Sequence, residues 1–419
     1  MKLWTDSCGR RLVVAGFLAG CGAAPVFAQT DAQALQQQIA QLRQDFDAVK
    51  RQYGDRLTAL EAQLAASQGG QGDVAPAIAA PAPAIPADQA GSQVPAGASK
   101  VFNPDTAVIG NFVGVAGKNP LSEQPALSMS EVEASFQAVV DPFARADFFL
   151  SATPEGLEVE EGFVTFTSLP GSLLLKVGKM RASFGKVNTL HAHALPTSDR
   201  PLVTGNLVGG EEGLSDSGLS LSKLILNPLM YLEATGEVFR GESAVFQSSQ
   251  RSRLNYLGRL RAYRDVSEGA NLDLGTSVAY GPTDVGIDTN KRLIGVDATF
   301  RYRPLRRAIY KRFQARTEFL WSRQDVPAGV RQNAFGMYGL GEYQFARQWY
   351  FGARYDQSER ALDASLKDRG GSLFLTFWPS EFSQIRAQYR RTHYAEGTAA
   401  NEVLFQFRFG IGAHAAHVF

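Results

Sequence analysis

His191 and His193 stand two residues apart, with Asp199 close behind them. Two imidazoles and a carboxylate are donor types that suit a divalent transition ion. Spacing fixes no third ligand, however, so a solvated loop is expected there, with no metal site and no other cofactor. Ser215-Asp216-Ser217-Gly218 sets hydroxyls beside an acid, yet neither Gly-x-Ser-x-Gly nor His-Glu-x-x-His occurs anywhere in the chain. No catalytic residue is assigned, and the chain is not read as an enzyme. The residues with most to say are arginines. Arg253, Arg259, Arg261, Arg301, Arg303, Arg312, Arg316, Arg354, Arg386, Arg390 and Arg408 are spread over the second half, and guanidiniums gathered in a confined aqueous space would favour anions.

What positions these side chains is a period of two. In 293–303, Ile294, Val296, Ala298, Phe300 and Tyr302 alternate with Gly295, Asp297, Thr299, Arg301 and Arg303. In 312–321, Phe313, Ala315, Thr317, Phe319 and Trp321 alternate with Arg312, Gln314, Arg316, Glu318 and Leu320. Segments of about ten alternating residues separated by turns are the pattern of a transmembrane β-barrel, apolar towards lipid and polar towards a water-filled interior. A soluble sandwich also alternates, but its exposed face rarely carries arginine on consecutive strands. Gly at 41 of 419 residues and aromatics at 11% suit many strands and turns.

Sixteen strands are counted between 106 and 419, making an all-β barrel over 101–419. Short turns at 140–143, 169–171, 227–228, 346–347 and 378–380 alternate with longer loops at 116–127, 182–213, 241–252, 281–290, 324–332, 358–366 and 394–400. Short periplasmic turns and long external loops are the expected asymmetry. An even count returns the C-terminus to the rim where the barrel began. The stretch from Arg181 to Gly213 has no helical or alternating period, yet Phe184, Leu190, Leu195, Leu202, Val203, Leu207 and Val208 give it apolar surface to bury. A loop of that length with something to bury is expected inside the barrel mouth. The last strand places Val403, Phe405, Phe407, Phe409 and Ile411 on one face and ends at Phe419, which resembles the signal by which outer-membrane proteins are recognised for insertion.

Ahead of the barrel, Lys2, Arg10 and Arg11 precede the apolar Leu12–Gly20, and Val26-Phe27-Ala28 offers a cleavage site, so 1–28 reads as a signal peptide. Leu18-Ala19-Gly20-Cys21 resembles a lipobox, which leaves lipidation at Cys21 as the other outcome. Over 29–66, Leu35, Ile39, Leu42, Phe46, Val49, Tyr53, Leu57, Leu60 and Leu64 follow a heptad seam with one stutter, a periplasmic coiled-coil helix. Arg56, Leu57, Leu60 and Glu61 resemble a trimeric coiled-coil signature, implying a homotrimer. Residues 67–100 are a linker rich in Pro and Ala.

The longest loop joins strands five and six, where general porins send a loop inward to constrict the channel. Val177-Gly178-Lys179-Met180-Arg181-Ala182-Ser183-Phe184-Gly185 also resembles a strand-and-loop motif of the phosphate-selective porin O and P family, with Ser183 where that motif usually has Pro. The resemblance implies a trimeric outer-membrane porin of a Gram-negative-type bacterium, passing small hydrophilic solutes or ions. Charge adds a direction. Residues 101–250 carry 9 Lys+Arg against 17 Asp+Glu, and 251–419 carry 25 against 16. The two halves of a barrel wall face one another, so a transverse field is expected across the lumen. Arginines line one side; Asp199, Glu211, Glu212 and Asp216 oppose them in or beside the constricting loop. A mild anion preference follows. The net charge of +1 argues against a nucleic-acid partner. A second class of function is structural: a barrel tethered through its coiled coil to the cell wall, which single-channel conductance would distinguish from a porin.

Overall fold

The computed structural model describes residues 104–412 apart from 123, 249, 287 and 328–329. The signal peptide, the coiled coil with Arg56, Leu57, Leu60 and Glu61, the whole linker and the terminal Phe419 lie outside the described residues.

Backbone amides in lipid must pair within the protein, so a sheet that spans a membrane must close on itself. Sixteen antiparallel strands do so here. They are β1 Asp105–Lys118, β2 Leu127–Asp141, β3 Ala144–Thr153, β4 Gly156–Leu169, β5 Leu173–Arg181 and β6 Ser215–Ile225. Then follow β7 Tyr231–Phe239, β8 Asn255–Ser267, β9 Ala270–Pro282, β10 Asn290–Tyr302 and β11 Arg312–Val326. The wall is completed by β12 Val330–Ala346, β13 Trp349–Arg360, β14 Asp363–Ser380, β15 Ser383–His393 and β16 Ala399–Gly412. Each strand pairs with its neighbours in sequence, and β1 closes on β16 from Ala107↔Gly412 to Lys118↔Asn401.

The alternation sorts as expected. Tyr256, Val278, Ile294, Trp321, Phe351, Tyr389 and Phe405 are exposed on the outer face, while Ser277, Asp297, Glu318, Arg354, Gln388 and Gln406 are buried on the inner one. Outward aromatics collect near both rims. Tyr302, Phe313, Tyr343 and Trp349 lie towards one end, and Tyr256, Tyr280, Trp321, Tyr355 and Tyr389 towards the other. Such girdles mark the two membrane–water boundaries.

Connections on the rim opposite the described chain ends include the long segment 182–214. Strands take up most of two loops expected on that rim. The β11–β12 ladder continues to Val326↔Val330, and β13–β14 to Arg360↔Asp363. Above the lipid both strand faces are polar, as with Arg331–Asp325 at 2.9 Å and Lys367–Glu359 at 3.0 Å, so alternation fades while pairing persists. On the other rim, 303–311 is longer than a simple turn and holds one 3-10 turn, Leu305–Arg307.

The apolar core lies between the β5–β6 loop and the inner wall. Phe184, Val187, Leu195, Val203, Leu207 and Val208 from the loop are buried with Phe149, Leu293, Leu320, Tyr338 and Phe374 from the strands. The loop was expected to lack helix, yet it contains α1, Leu202–Val208. Pro201 starts it and Gly209, at φ 91°, ends it in the left-handed region that favours glycine. Two turns are too short to show a period in sequence.

Candidate functional site

The loop between β5 and β6 is pinned at its neck. Ala182 donates to the Leu214 carbonyl at 2.8 Å. Asn188 braces the same point, donating to both the Ala182 and Leu214 carbonyls and accepting from the Leu214 amide at 2.8 Å. From there the loop runs against the wall and takes its hydrogen bonds from inward side chains. Ser183 donates twice to Glu237 on β7, and Val187 donates to Glu318 on β11 at 2.8 Å. Gly185 sits at φ 60°; its amide donates to Ser277, and its carbonyl accepts from Arg259 at 2.7 Å. That left-handed backbone favours glycine, and a Cβ there would also crowd the Glu318 carboxylate.

Further along, Arg408 donates to the His193 carbonyl at 2.7 Å and Arg386 to the Leu195 carbonyl at 3.1 Å. Asp199 meets Arg354 Nη2 at 2.8 Å and Arg390 Nη1 at 2.9 Å, and also accepts from Gln388. Arg354 holds Thr197 and the Asp199 carbonyl as well. Burial alone would raise the Asp199 carboxyl, but the two guanidiniums outweigh it and hold it down at about 2. Leu202 donates to Asp356, Asn206 to Asp368, and Lys291 donates to the Leu207 carbonyl at 2.9 Å. The loop thus crosses the lumen and is tied to strands around the whole barrel.

The expected site residues sort into groups. Arg259, Arg354, Arg386, Arg390 and Arg408 hold the loop. Arg261 pairs with Asp273 at 2.8 Å on the neighbouring strand. Arg253 lies before β8, in the 240–254 connection, where it pairs with Asp288 and donates to Asn290. Arg301, Arg303, Arg312 and Arg316, joined by Arg386 and Arg408, line a cavity of about 810 Å³ on the short-turn side of the loop. Lys186 and Arg347 complete its eight cations, against the two carboxylates Glu342 and Glu381. Arg316 Nε and Nη1 are buried and donate no hydrogen bond among the described residues. Lys186, in the loop, is pushed down to about 8, first by burial and then by the nearby Arg316.

The four acids expected to oppose the arginines do not form one acidic face. Asp199 is embedded among arginines. Glu211 is exposed, 3.4 Å from Arg200, and Glu212 contributes its backbone carbonyl to Arg181. Asp216 accepts from the Gly241 and Glu242 amides, which orders a neighbouring loop.

The acidic face lies elsewhere. Glu131 and Glu133 on β2 and Glu160 and Glu161 on β4 surround His191 and His193, and both imidazoles are buried rather than solvated. The solvated-loop expectation fails because the loop folds back 58 residues in sequence to reach β2. Burial would lower the His191 pKa, but carboxylates at both ring nitrogens raise it well above the ordinary imidazole value. Glu131-x-Glu133 shares one strand face, a signal available in the sequence. The Glu160-Glu161 pair gives no such signal: a register shift opposite Phe149/Leu150 makes Glu160 an extra residue, and a β-bulge turns both glutamates inward.

No family model matches the chain. An uncharacterized protein of Aquifex aeolicus is 29% identical over 343 residues, with 71% of each chain covered. Among solved structures, the chain resembles an anion-selective porin from Comamonas acidovorans (TM-score 0.54, 12% identity) over 73% of its length and 98% of that chain. It also resembles an OmpT loop-deletion mutant, an outer-membrane protein of Vibrio cholerae (TM-score 0.52, 11% identity), over 73% and 98%. OprB of Pseudomonas putida matches at TM-score 0.51 and 10% identity, over 75% and 95%. At these identities the likeness shows the fold alone, a closed barrel of sixteen antiparallel strands.

Proposed function

We propose that the chain forms a water-filled channel across an outer membrane, passing small hydrophilic solutes and ions by diffusion with a mild preference for anions. The carrying observation is the cavity beside the loop, where eight cations face two carboxylates. A fixed excess of positive charge in a confined aqueous passage concentrates anions and repels cations. Arg316 strengthens the reading, since its undonated N–H groups point to an aqueous or anionic partner. The loop over 182–213 is the constriction in this proposal, because its ties to the wall leave it no room to swing aside without breaking buried ion pairs. The heptad seam over 29–66 supports a homotrimer carrying a periplasmic coiled coil, with the cell wall as a further candidate contact of that arm.

The test is reversal potential across a planar bilayer holding the purified protein in a KCl gradient. Anion preference is expected, and clear cation preference would overturn the charge argument. Absence of discrete conductance steps would sink the channel itself.

A further inference from the structure

The lumen holds a second polar centre that conduction does not require. His191 Nδ1 lies 2.6 Å from Glu133 Oε2 and 3.2 Å from Glu160 Oε2. These donor atoms lie close enough together to share one ion, and Glu131, Glu133 and His193 form an adjoining group that shares Glu133. His193 Nδ1 is 3.4 Å from Glu131 and 3.7 Å from Glu133. We propose that His191, Glu133 and Glu160 bind one divalent first-row transition ion, with Glu131 and His193 beside it, and that the ion fastens the β5–β6 loop to β2 and β4.

Two features support this. Glu160 is only 8% exposed, and among the described residues its Oε2 meets His191 Nδ1 at 3.2 Å and accepts from no other group. Glu161 Oε2 lies 2.8 Å from His191 Nε2, the far ring nitrogen. A carboxylate in that place is the usual partner of a metal-bound histidine, fixing its tautomer and ring orientation. Mixed imidazole and carboxylate donors favour zinc, manganese, iron, cobalt or nickel over calcium or magnesium, which take oxygen alone.

The full-length protein, extracted from membranes in mild detergent, stripped with EDTA and dialysed, is titrated with Zn2+ by calorimetry, with metal content read by mass spectrometry. One saturable zinc per chain is expected, and Co2+ in its place should give visible ligand-field bands that zinc abolishes. H191Q should lose the site, E161Q should weaken it roughly 10–100-fold, and H393Q, at an exposed strand end, should bind as the parent does. Heat-modifiable mobility on gels reports whether each variant folds. If H191Q does not fold, E161Q and the cobalt spectrum of the parent decide. No saturable uptake by the parent, or uptake unchanged in either H191Q or E161Q, overturns the proposal. Conductance is scored separately, so a failure of the metal site and a failure of the channel are distinct results.

Discussion

Two sides of one lumen solve the problem of buried charge differently. On the β10–β16 side, arginines meet loop carbonyls, Asp199 and wall carboxylates, and a surplus of guanidiniums is left facing the cavity. On the β2–β4 side, carboxylates outnumber guanidiniums, and histidines from the loop fill the gap between them. The arginine side keeps open space beside its charges; the glutamate side is closed. A surplus that can reach water can act on passing ions. A surplus sealed from water must be compensated where it stands, because an uncompensated buried charge costs several kcal/mol. Selectivity is therefore expected from the first side and anchoring from the second.

The sharpest way to break this contrast is to remove an anchor from the arginine side. Arg354 is 1% exposed, and R354A leaves Asp199 with one guanidinium in place of two. A loss of about 3–5 kcal/mol is expected, as for other broken buried pairs. It should appear as faster proteolysis within 182–213 and larger, noisier single-channel currents; a quiet channel of unchanged size would show that Asp199 does not hold the loop. Arg316 should behave in the opposite sense. R316M removes N–H groups that face the cavity and have no acceptor among the described residues, so thermal stability is expected to hold. Anion preference should fall at the same time. Lower stability with unchanged selectivity would place Arg316 among the structural arginines.

The smallest effect comes from Lys186. Its pKa is depressed to about 8, so the ammonium is charged below that pH and neutral above it. Raising the pH from 7 to 9 removes one of eight cavity cations and should reduce anion preference modestly. K186Q should flatten that step, and a step that persists in K186Q assigns it to another group.

Most of the barrel was legible because a membrane enforces alternation strand by strand: Ile294 to Tyr302 and Phe313 to Trp321 face outward as the sequence implies. The charge asymmetry between the halves was legible too, since it survives any choice of partners. The partners themselves were not. Asp216 and Asp199 look alike in sequence, yet one orders a neighbouring loop and the other sits between Arg354 and Arg390. The histidine–glutamate cluster needed two facts no local pattern carries, a bulge at Glu160 and a loop that returns to β2. Helix α1 escaped notice because seven residues give a period no chance to repeat.

A cylinder of sixteen strands has no packed centre, and its hydrogen-bonded wall can flatten under lateral load with little change in any single strand pair. The β5–β6 loop spans that hollow with ties at Glu237, Glu318, Arg354, Asp368 and Arg408. Mechanically it is a cross-brace: squeezing the barrel along any diameter strains some of those ties. The segment proposed to narrow the passage is thus also what keeps its cross-section from becoming oval as the bilayer presses on it.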